Sequence, residues 1–261
     1  TVLVSITRFK DDGEANATID PMGIETRWEN DDAGRRIRLI ENYAACGNDP
    51  DTNRTTEYAY APDGGMSRLT LINEVTGNQV TRWVYGTTTE ESEVARTDLL
   101  RAKIYPESDD TPSPLGDGPD GVYERIEYGY NRQGEVNTMK DPNQTKHAYS
   151  YDGLGRQTED EITSFGAGID QSVAKIGTTY DTKRLLRTKV TSYDGADAVV
   201  NEVTFSYDDF GQLASDQQEH DGAVDGSTLK VQYGYENGNR ANTSRRTSMT
   251  YPDGRQLNYG Y

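Results

Sequence analysis

The sequence predicts an all-β protein, built as an array of antiparallel β-hairpins that form a twisted, coiled sheet. Three features predict this: pairs of aromatic residues separated by one residue, an Asp that often follows the pair, and a Gly three residues after that Asp. Alternation places both rings of a pair on one face of a strand. The Asp can accept a backbone hydrogen bond from two residues on, and the Gly can adopt positive φ. One motif therefore encodes a strand, a turn and the start of the returning strand.

The fullest copy of the motif is the stretch HAYSYDGLGR, residues 147–156. Its motif residues are Tyr149, Tyr151, Asp152, Gly155 and Arg156. A second long copy begins 121 residues earlier and keeps register with the first over sixteen positions, with Trp28, Asp31, Gly34 and Arg35 in the matching places. Shorter copies contribute Tyr58/Tyr60, Trp83/Tyr85, Tyr128/Tyr130, Phe205/Tyr207 with Asp208 and Gly211, Tyr233/Tyr235 with Gly238, and Tyr259/Tyr261. A single copy would be weak evidence, because each part of the motif occurs by chance. The recurrence of the motif along the chain makes it specific.

The spacing of the copies fits one hairpin per copy. Successive second aromatics are 20 to 29 residues apart. Two strands of roughly 7 to 10 residues and two tight turns need about that length. We therefore expect about eight or nine hairpins in a single repeat array over residues 1–261.

These segments resemble the YD repeats of the Rhs family, which also occur in the B and C components of insecticidal toxin complexes and in teneurins. The version D-P-x-x-x-x-x-x-Y-x-Y-D-x-x-G-R carries the resemblance, which covers nearly the whole chain. The resemblance implies a β-sheet strip that coils into a hollow shell, in bacteria often around a toxic C-terminal payload. The family's self-cleaving C-terminal core has no counterpart here. The stretch Asp20-Pro21-Met22-Gly23 is superficially similar to that core, but it lies near the opposite end of the chain and matches an ordinary repeat.

The resemblance also implies a role and partners. It implies a secreted or cell-surface protein that acts as a non-enzymatic structural scaffold. Thr1 in place of Met and an end at Tyr261 inside a repeat indicate a fragment of a longer protein. Its expected partners are the remaining repeats of the parent protein, together with an encapsulated payload or surface glycans. A glycan-binding or adhesion module that uses the tyrosine-rich strand face is the first alternative, and an enclosed hydrolase is the second.

The composition limits the other classes of function. Leu, Ile, Val and Phe make up under a fifth of the chain, and the net charge is −17, a combination typical of disorder. We nevertheless predict a folded chain with a thin core, because eighteen tyrosines supply apolar area and regular turns fix the backbone. Excess acid disfavours nucleic acid and anionic lipid as partners. No apolar run of membrane-spanning length is present, and Cys46 has no cysteine partner.

Taken in order, the chain opens with a predicted strand to Phe9 and a polar loop at 45–53. The spacing of Asp49, Asp51 and Asn53 in that loop resembles the start of a calcium loop, but Arg54 and Tyr60 stand where Gly and Glu would be needed. We expect a solvated turn, and no metal or cofactor. Irregular insertions are predicted at about 106–121, where four prolines must leave the sheet, and at 165–176. Little helix is expected.

No catalytic constellation is predicted. His147 and His220 lie in different repeats, and neither has a nucleophile and an orienting residue nearby in sequence. The aromatic pairs have two interpretations: a cross-strand ladder of stacked rings, which we favour, or a platform that stacks on sugars. Sequons at Asn16, Asn53, Asn143 and Asn242 would allow glycan attachment in a eukaryotic secretory route.

Overall fold

The computed structural model describes residues 3–46, 51–106, 108–236 and 245–260. These residues form β-strands, turns and irregular segments, and the described ranges contain no helix, in agreement with the all-β prediction. Consequently, no helix in them is long and apolar enough to cross a membrane. The motif residues Gly238 and Tyr261, the sequon at Asn242 and Asp49 of the calcium-like spacing lie outside the described residues.

The chain divides into two compact units, which we describe separately. Residues 1–134 and 141–143 form the first unit. Its strands are β1 (Ile6–Phe9), β2 (Ala15–Ile19), β3 (Glu25–Asn30), β4 (Arg36–Glu41), β5 (Arg54–Tyr60), β6 (Met66–Leu71), β7 (Gln79–Tyr85), β8 (Leu100–Ile104), β9 (Thr111–Pro112), β10 (Leu115–Gly116) and β11 (Arg125–Tyr130). Consecutive strands from β1 to β8 pair antiparallel, and β8 then pairs with β11.

Residues 135–140 and 144–261 form the second unit. Its strands are β12 (Val136–Lys140), β13 (Lys146–Tyr151), β14 (Gln157–Ser164), β15 (Lys175–Tyr180), β16 (Arg187–Tyr193), β17 (Val199–Tyr207), β18 (Leu213–Glu219), β19 (Lys230–Tyr235), β20 (Arg246–Thr250) and β21 (Gln256–Asn258). Each strand again pairs antiparallel with the next in the chain. Both units are therefore meanders of hairpins, which is the architecture that the repeat spacing predicts.

A bulge recurs at the end of the strands that precede the turns. The pairing register shifts between Ala59 and Tyr60, between Ser150 and Tyr151, and between Ser206 and Tyr207. In each case the bulge falls at the second aromatic of the pair. Because a bulge bends the strand and increases its twist, it gives each hairpin the same local curvature next to its turn.

The core is thin, as the composition predicts. The buried apolar residues are Ala17, Ala102, Ile104, Tyr123, Tyr130 and Ala174. Buried threonines supplement them at Thr56, Thr70, Thr87, Thr145, Thr191 and Thr228. Threonine suits this role because its branched side chain packs on a pleated surface while its hydroxyl finds a polar partner. Thr191, for example, donates to Glu202, itself 5% exposed, at 2.8 Å.

The proline-rich insertion leaves the main sheet and forms a separate hairpin from β9 and β10. Arg125, at the start of β11, attaches this segment to the main sheet. Its guanidinium donates to Asp110 at 2.9 Å, to Asp117 at 2.7 Å and to Glu127 at 2.6 Å. Arg125 is 6% exposed and Asp110 is 1% exposed. Burial alone would lower the pKa of Arg125, but the three carboxylates more than offset that effect and raise it.

Candidate functional site: the joint between successive hairpins

The turn of the fullest motif is closed by Asp152 and Gly155. The Gly155 amide donates to the Asp152 carbonyl at 3.0 Å, and the Asp152 amide donates to the Arg156 carbonyl at 2.9 Å. Oδ1 of Asp152 accepts from the amides of Leu154 at 2.9 Å and Arg156 at 3.1 Å. Gly155 has a φ of 76°, a conformation that side-chain-bearing residues rarely adopt. The predicted Asp–Gly turn is therefore confirmed at this position.

The same turn recurs along the chain. Oδ1 of the leading Asp accepts from the amides two and four residues on at Asp20, Asp31, Asp194 and Asp208. The left-handed position is held by Gly23, Gly34 and Gly211 in three of these turns and by Asp197 in the fourth. In each of these turns, an Asp carboxylate oxygen thus accepts the hydrogen bonds from two backbone amides.

The arginine that ends the motif joins the turn to the following hairpin. Nε of Arg156 donates to Oδ2 of Asp152 at 2.7 Å, and the guanidinium lies 4.2 Å from the centre of the Tyr180 ring. In the other long copy, Arg35 donates to Asp31 at 2.8 Å and lies 4.6 Å from the Tyr60 ring. Each arginine therefore contacts its own turn and the second aromatic of the next hairpin.

These ion pairs affect the carboxylates. The side-chain hydrogen bond from Arg156 is the main cause that holds the pKa of Asp152 below its usual value, assisted by the backbone amides. The equivalent bond from Arg35, followed by the Arg35 backbone amide, lowers the pKa of Asp31. Both aspartates are therefore stabilised in the ionised form that accepts the turn hydrogen bonds.

The hydroxyl of the second aromatic completes the joint. Tyr180 donates to the carbonyl of Gln157 at 3.0 Å, and Gln157 is the first residue of the returning strand β14 in the preceding hairpin. Five further tyrosines donate in the same way to the first residue of β4, β8, β12, β16 or β18: Tyr60 to Arg36, Tyr130 to Leu100, Tyr151 to Val136, Tyr207 to Arg187, and Tyr235 to Leu213. The same hydroxyl–carbonyl contact therefore recurs between successive hairpins along the array.

The first aromatic of each pair has different neighbours. Guanidinium groups lie over three of these rings, Arg36 over Trp28, Arg187 over Phe205 and Arg246 over Tyr233. Tyr149 instead stacks with His147, with ring centres 6.0 Å apart, and its hydroxyl points to the sulfur of Met139 at 3.8 Å. Tyr58 is half-buried on β5, as is Tyr128 on β11, where burial raises the pKa of the phenol. Three of these rings are therefore packed against arginine, an arrangement that differs from the ring-on-ring ladder favoured by the sequence.

Neither the packing of arginines on the rings nor the anchoring of the insertion by Arg125 was predicted from the sequence. The G-R dipeptide in the two long copies was the available signal for the first. Nothing in the sequence indicates the second, because the carboxylates on Arg125 come from positions up to 15 residues away. His147 pairs with Asp160 at 2.6 Å, and His220 is exposed in a turn. In the calcium-like loop, the side chain of Asn53 bonds to both backbone groups of Ala44, the contact of a turn residue.

Comparison with known proteins gives matches among solved structures alone. No protein-family model and no curated protein matches the chain. The crystal structure of TcdB2-TccC3-TEV is 12% identical, with a TM-score of 0.48, and the match covers 95% of this chain and 13% of that one. The Photorhabdus luminescens Tc holotoxin pore is 12% identical, with a TM-score of 0.33, over 95% of this chain and 15% of that one. This chain thus matches a small part of each of those longer chains.

Proposed function

We propose that this chain is a non-enzymatic structural scaffold, a slice of a YD-repeat β-shell or extracellular array of the kind that encloses a C-terminal payload. One observation carries the proposal. The motif side chains are committed to the joint: Asp closes a turn, Arg pairs with that Asp and covers the next ring, and Tyr bonds back to the previous hairpin. Because these side chains are held in contacts within and between hairpins, they stabilise the sheet and leave few motif atoms available to bind a ligand.

The repeat nature of the joint supports the same proposal. In a repeat array, stability depends on contacts between neighbouring units, so the motif recurs wherever such a contact is needed. A sugar-binding platform has the opposite requirement, because its rings must stay open to the ligand. The partners of the scaffold are then the remaining repeats of the parent protein and, inside a closed shell, its payload.

Truncation of the motif tyrosines separates the scaffold from the glycan-binding module. We expect Tyr151→Ala and Tyr207→Ala to lower the free energy of unfolding by roughly 2 to 4 kcal/mol each, because packing area and a hydrogen bond are lost together. Phe210→Ala is the matched control, since this aromatic residue lies in the turn that follows Tyr207 and is 80% exposed. Its removal should change stability by about 0.5 kcal/mol or less. Urea denaturation measures all three.

A glycan array with the parent chain and the same variants provides the second measurement. The scaffold proposal predicts no glycan that binds the parent and loses affinity on Tyr151→Ala. If instead the tyrosine variants were as stable as the parent and lost a measurable sugar affinity, the chain would be a binding module.

A further inference from the structure

An open cleft of about 430 Å³ lies where the proline-rich insertion meets the rest of the first unit. Its lining residues come from the segment that follows β8, from the segment before β11 and from the 141–143 turn, all within that unit: Tyr105, Pro106, Ser108, Val122, Tyr123, Glu124 and Pro142. None of them belongs to the Tyr–Asp–Gly–Arg joints described above. The cleft is therefore separate from the groups that hold the array together.

The walls of the cleft are apolar and firmly held. Tyr123 is 7% exposed, and the Arg125 guanidinium lies 4.3 Å from the centre of its ring. That guanidinium is itself bonded to three carboxylates, so the ring is fixed between a buried ion-pair cluster and the cleft. Val122, in contrast, is 50% exposed and presents its side chain at the surface. The cleft thus offers aromatic, proline and valine surface, with the Tyr123 ring held in place by Arg125.

Carboxylates lie at one side of this apolar surface. Glu124 lines the cleft, and one of its carboxylate oxygens lies within 4.8 Å of a carboxylate oxygen of Asp109 and of Asp120. Within the described residues, none of these three acids forms an ion pair with a basic side chain, whereas Asp110, Asp117 and Glu127 are all paired with Arg125. Backbone amides donate to Asp109 and Asp120, at 3.1 Å and 2.8 Å, but no basic side chain of the described residues balances the negative charge beside the cleft.

We propose that this cleft binds a basic side chain, arginine or lysine, presented by a peptide segment of a protein partner. Such a side chain has an apolar stem that packs on rings and prolines and a charged head that remains polar. The stem would lie against Tyr105, Tyr123 and the prolines, and the head would pair with Glu124 and its two neighbouring aspartates. Charge-assisted hydrogen bonds to carboxylates are the strongest that such a head can form. The surface of a chain with net charge −17 also attracts basic segments from a distance.

The test uses two peptides that differ in charge alone, acetyl-Leu-Arg-Leu-amide and the same peptide with citrulline in place of arginine. Each is titrated into the ¹⁵N-labelled chain, and amide shifts are followed by nuclear magnetic resonance. We expect the arginine peptide to shift the amides of Tyr105, Val122, Tyr123 and Glu124 in a saturable way, and the citrulline peptide to shift none of them. Glu124→Gln should weaken binding by about tenfold, since a hydrogen bond to a charged group is lost.

Glu74→Gln is the matched control, because it makes the same change of charge at an exposed residue in the β6–β7 turn. The proposal is overturned if this control weakens binding as much as Glu124→Gln, which would indicate diffuse attraction to an acidic surface. It is also overturned if both peptides bind equally. Calcium chloride is a third titrant: shifts with calcium at Asp109, Asp120 and Glu124, without any shift on addition of the arginine peptide, would assign the carboxylates to a metal instead.

Discussion

The guanidinium of Arg156 lies 4.2 Å from the centre of the Tyr180 ring, while the Tyr180 hydroxyl donates to the carbonyl of Gln157, the residue after that arginine. Two different atoms of one tyrosine thus contact consecutive residues of the preceding hairpin. The arginine is held in turn by Asp152. The ordered turn of one hairpin is therefore in contact with the ring of the next hairpin. Contacts of this kind between neighbouring units stabilise a repeat array.

A double-mutant cycle should measure that contact. We expect Arg156→Gln and Tyr180→Leu to show a coupling free energy of about 0.5 to 1 kcal/mol in urea denaturation, because each removes one side of a cation–ring contact. Arg156→Gln combined with Tyr207→Leu is the control, since Tyr207 ends the first strand of the hairpin after next. That pair should be additive within about 0.5 kcal/mol. Equal coupling in both cycles would contradict a local joint.

The left-handed turn position should not tolerate a branched side chain. Gly155→Val places a β-branched residue at a φ of 76° and should cost on the order of 1 to 3 kcal/mol of stability. Gly153→Ala, two residues earlier, is the control, because a Cβ there would meet no atom within 4 Å. It should be neutral or slightly stabilising. A Gly155→Val variant with the urea midpoint of the parent would disprove the strain assigned to this turn.

Loss of Arg125 should be among the most damaging single changes in the first unit. Arg125→Met leaves the carboxylate of Asp110, in a residue that is 1% exposed, without its cationic partner, and we expect a loss of about 3 to 5 kcal/mol. Asp110→Asn in the same chain should restore part of that loss, because the uncompensated charge is gone. Arg132→Met, at an exposed turn residue, is the control and should be nearly silent. A change below about 1 kcal/mol for Arg125→Met would refute the anchoring role.

Acid should weaken the joint. The pKa of Asp152 is lowered in the folded chain, with the Arg156 hydrogen bond as the first cause. Ionised Asp152 therefore contributes stability that is present above its unfolded pKa of about 3.9 and is lost as the pH falls through the lower folded pKa. The difference in stability between the parent and Arg156→Gln should accordingly shrink as the pH is lowered from 6 through that range, whereas the difference for Arg132→Gln should stay constant. A parent–Arg156→Gln difference that is independent of pH would exclude this linkage.

The sequence by itself determined the local structure of this protein. Aromatic alternation, the Asp side chain and the left-handed Gly act within about six residues of one another, so the hairpins at 147–164 and 28–41 could be predicted from the motif alone. The 20-to-29-residue spacing then determined that the array is a meander. The thin core could also be predicted from the sequence, because the chain has too few aliphatic residues to build a thicker one.

Only the tertiary structure decided which groups meet across hairpins. A strand pattern specifies the face on which Tyr180 lies, but the partners of that ring depend on the twist and bulge that bring Arg156 over it and Gln157 under its hydroxyl. For the same reason, the pairing of Arg125 with Asp110 and the cleft beside Tyr123 could not be predicted. Asp110 and part of the cleft lining belong to an irregular insertion without periodicity, whose path is determined by packing and charge and not by local propensity.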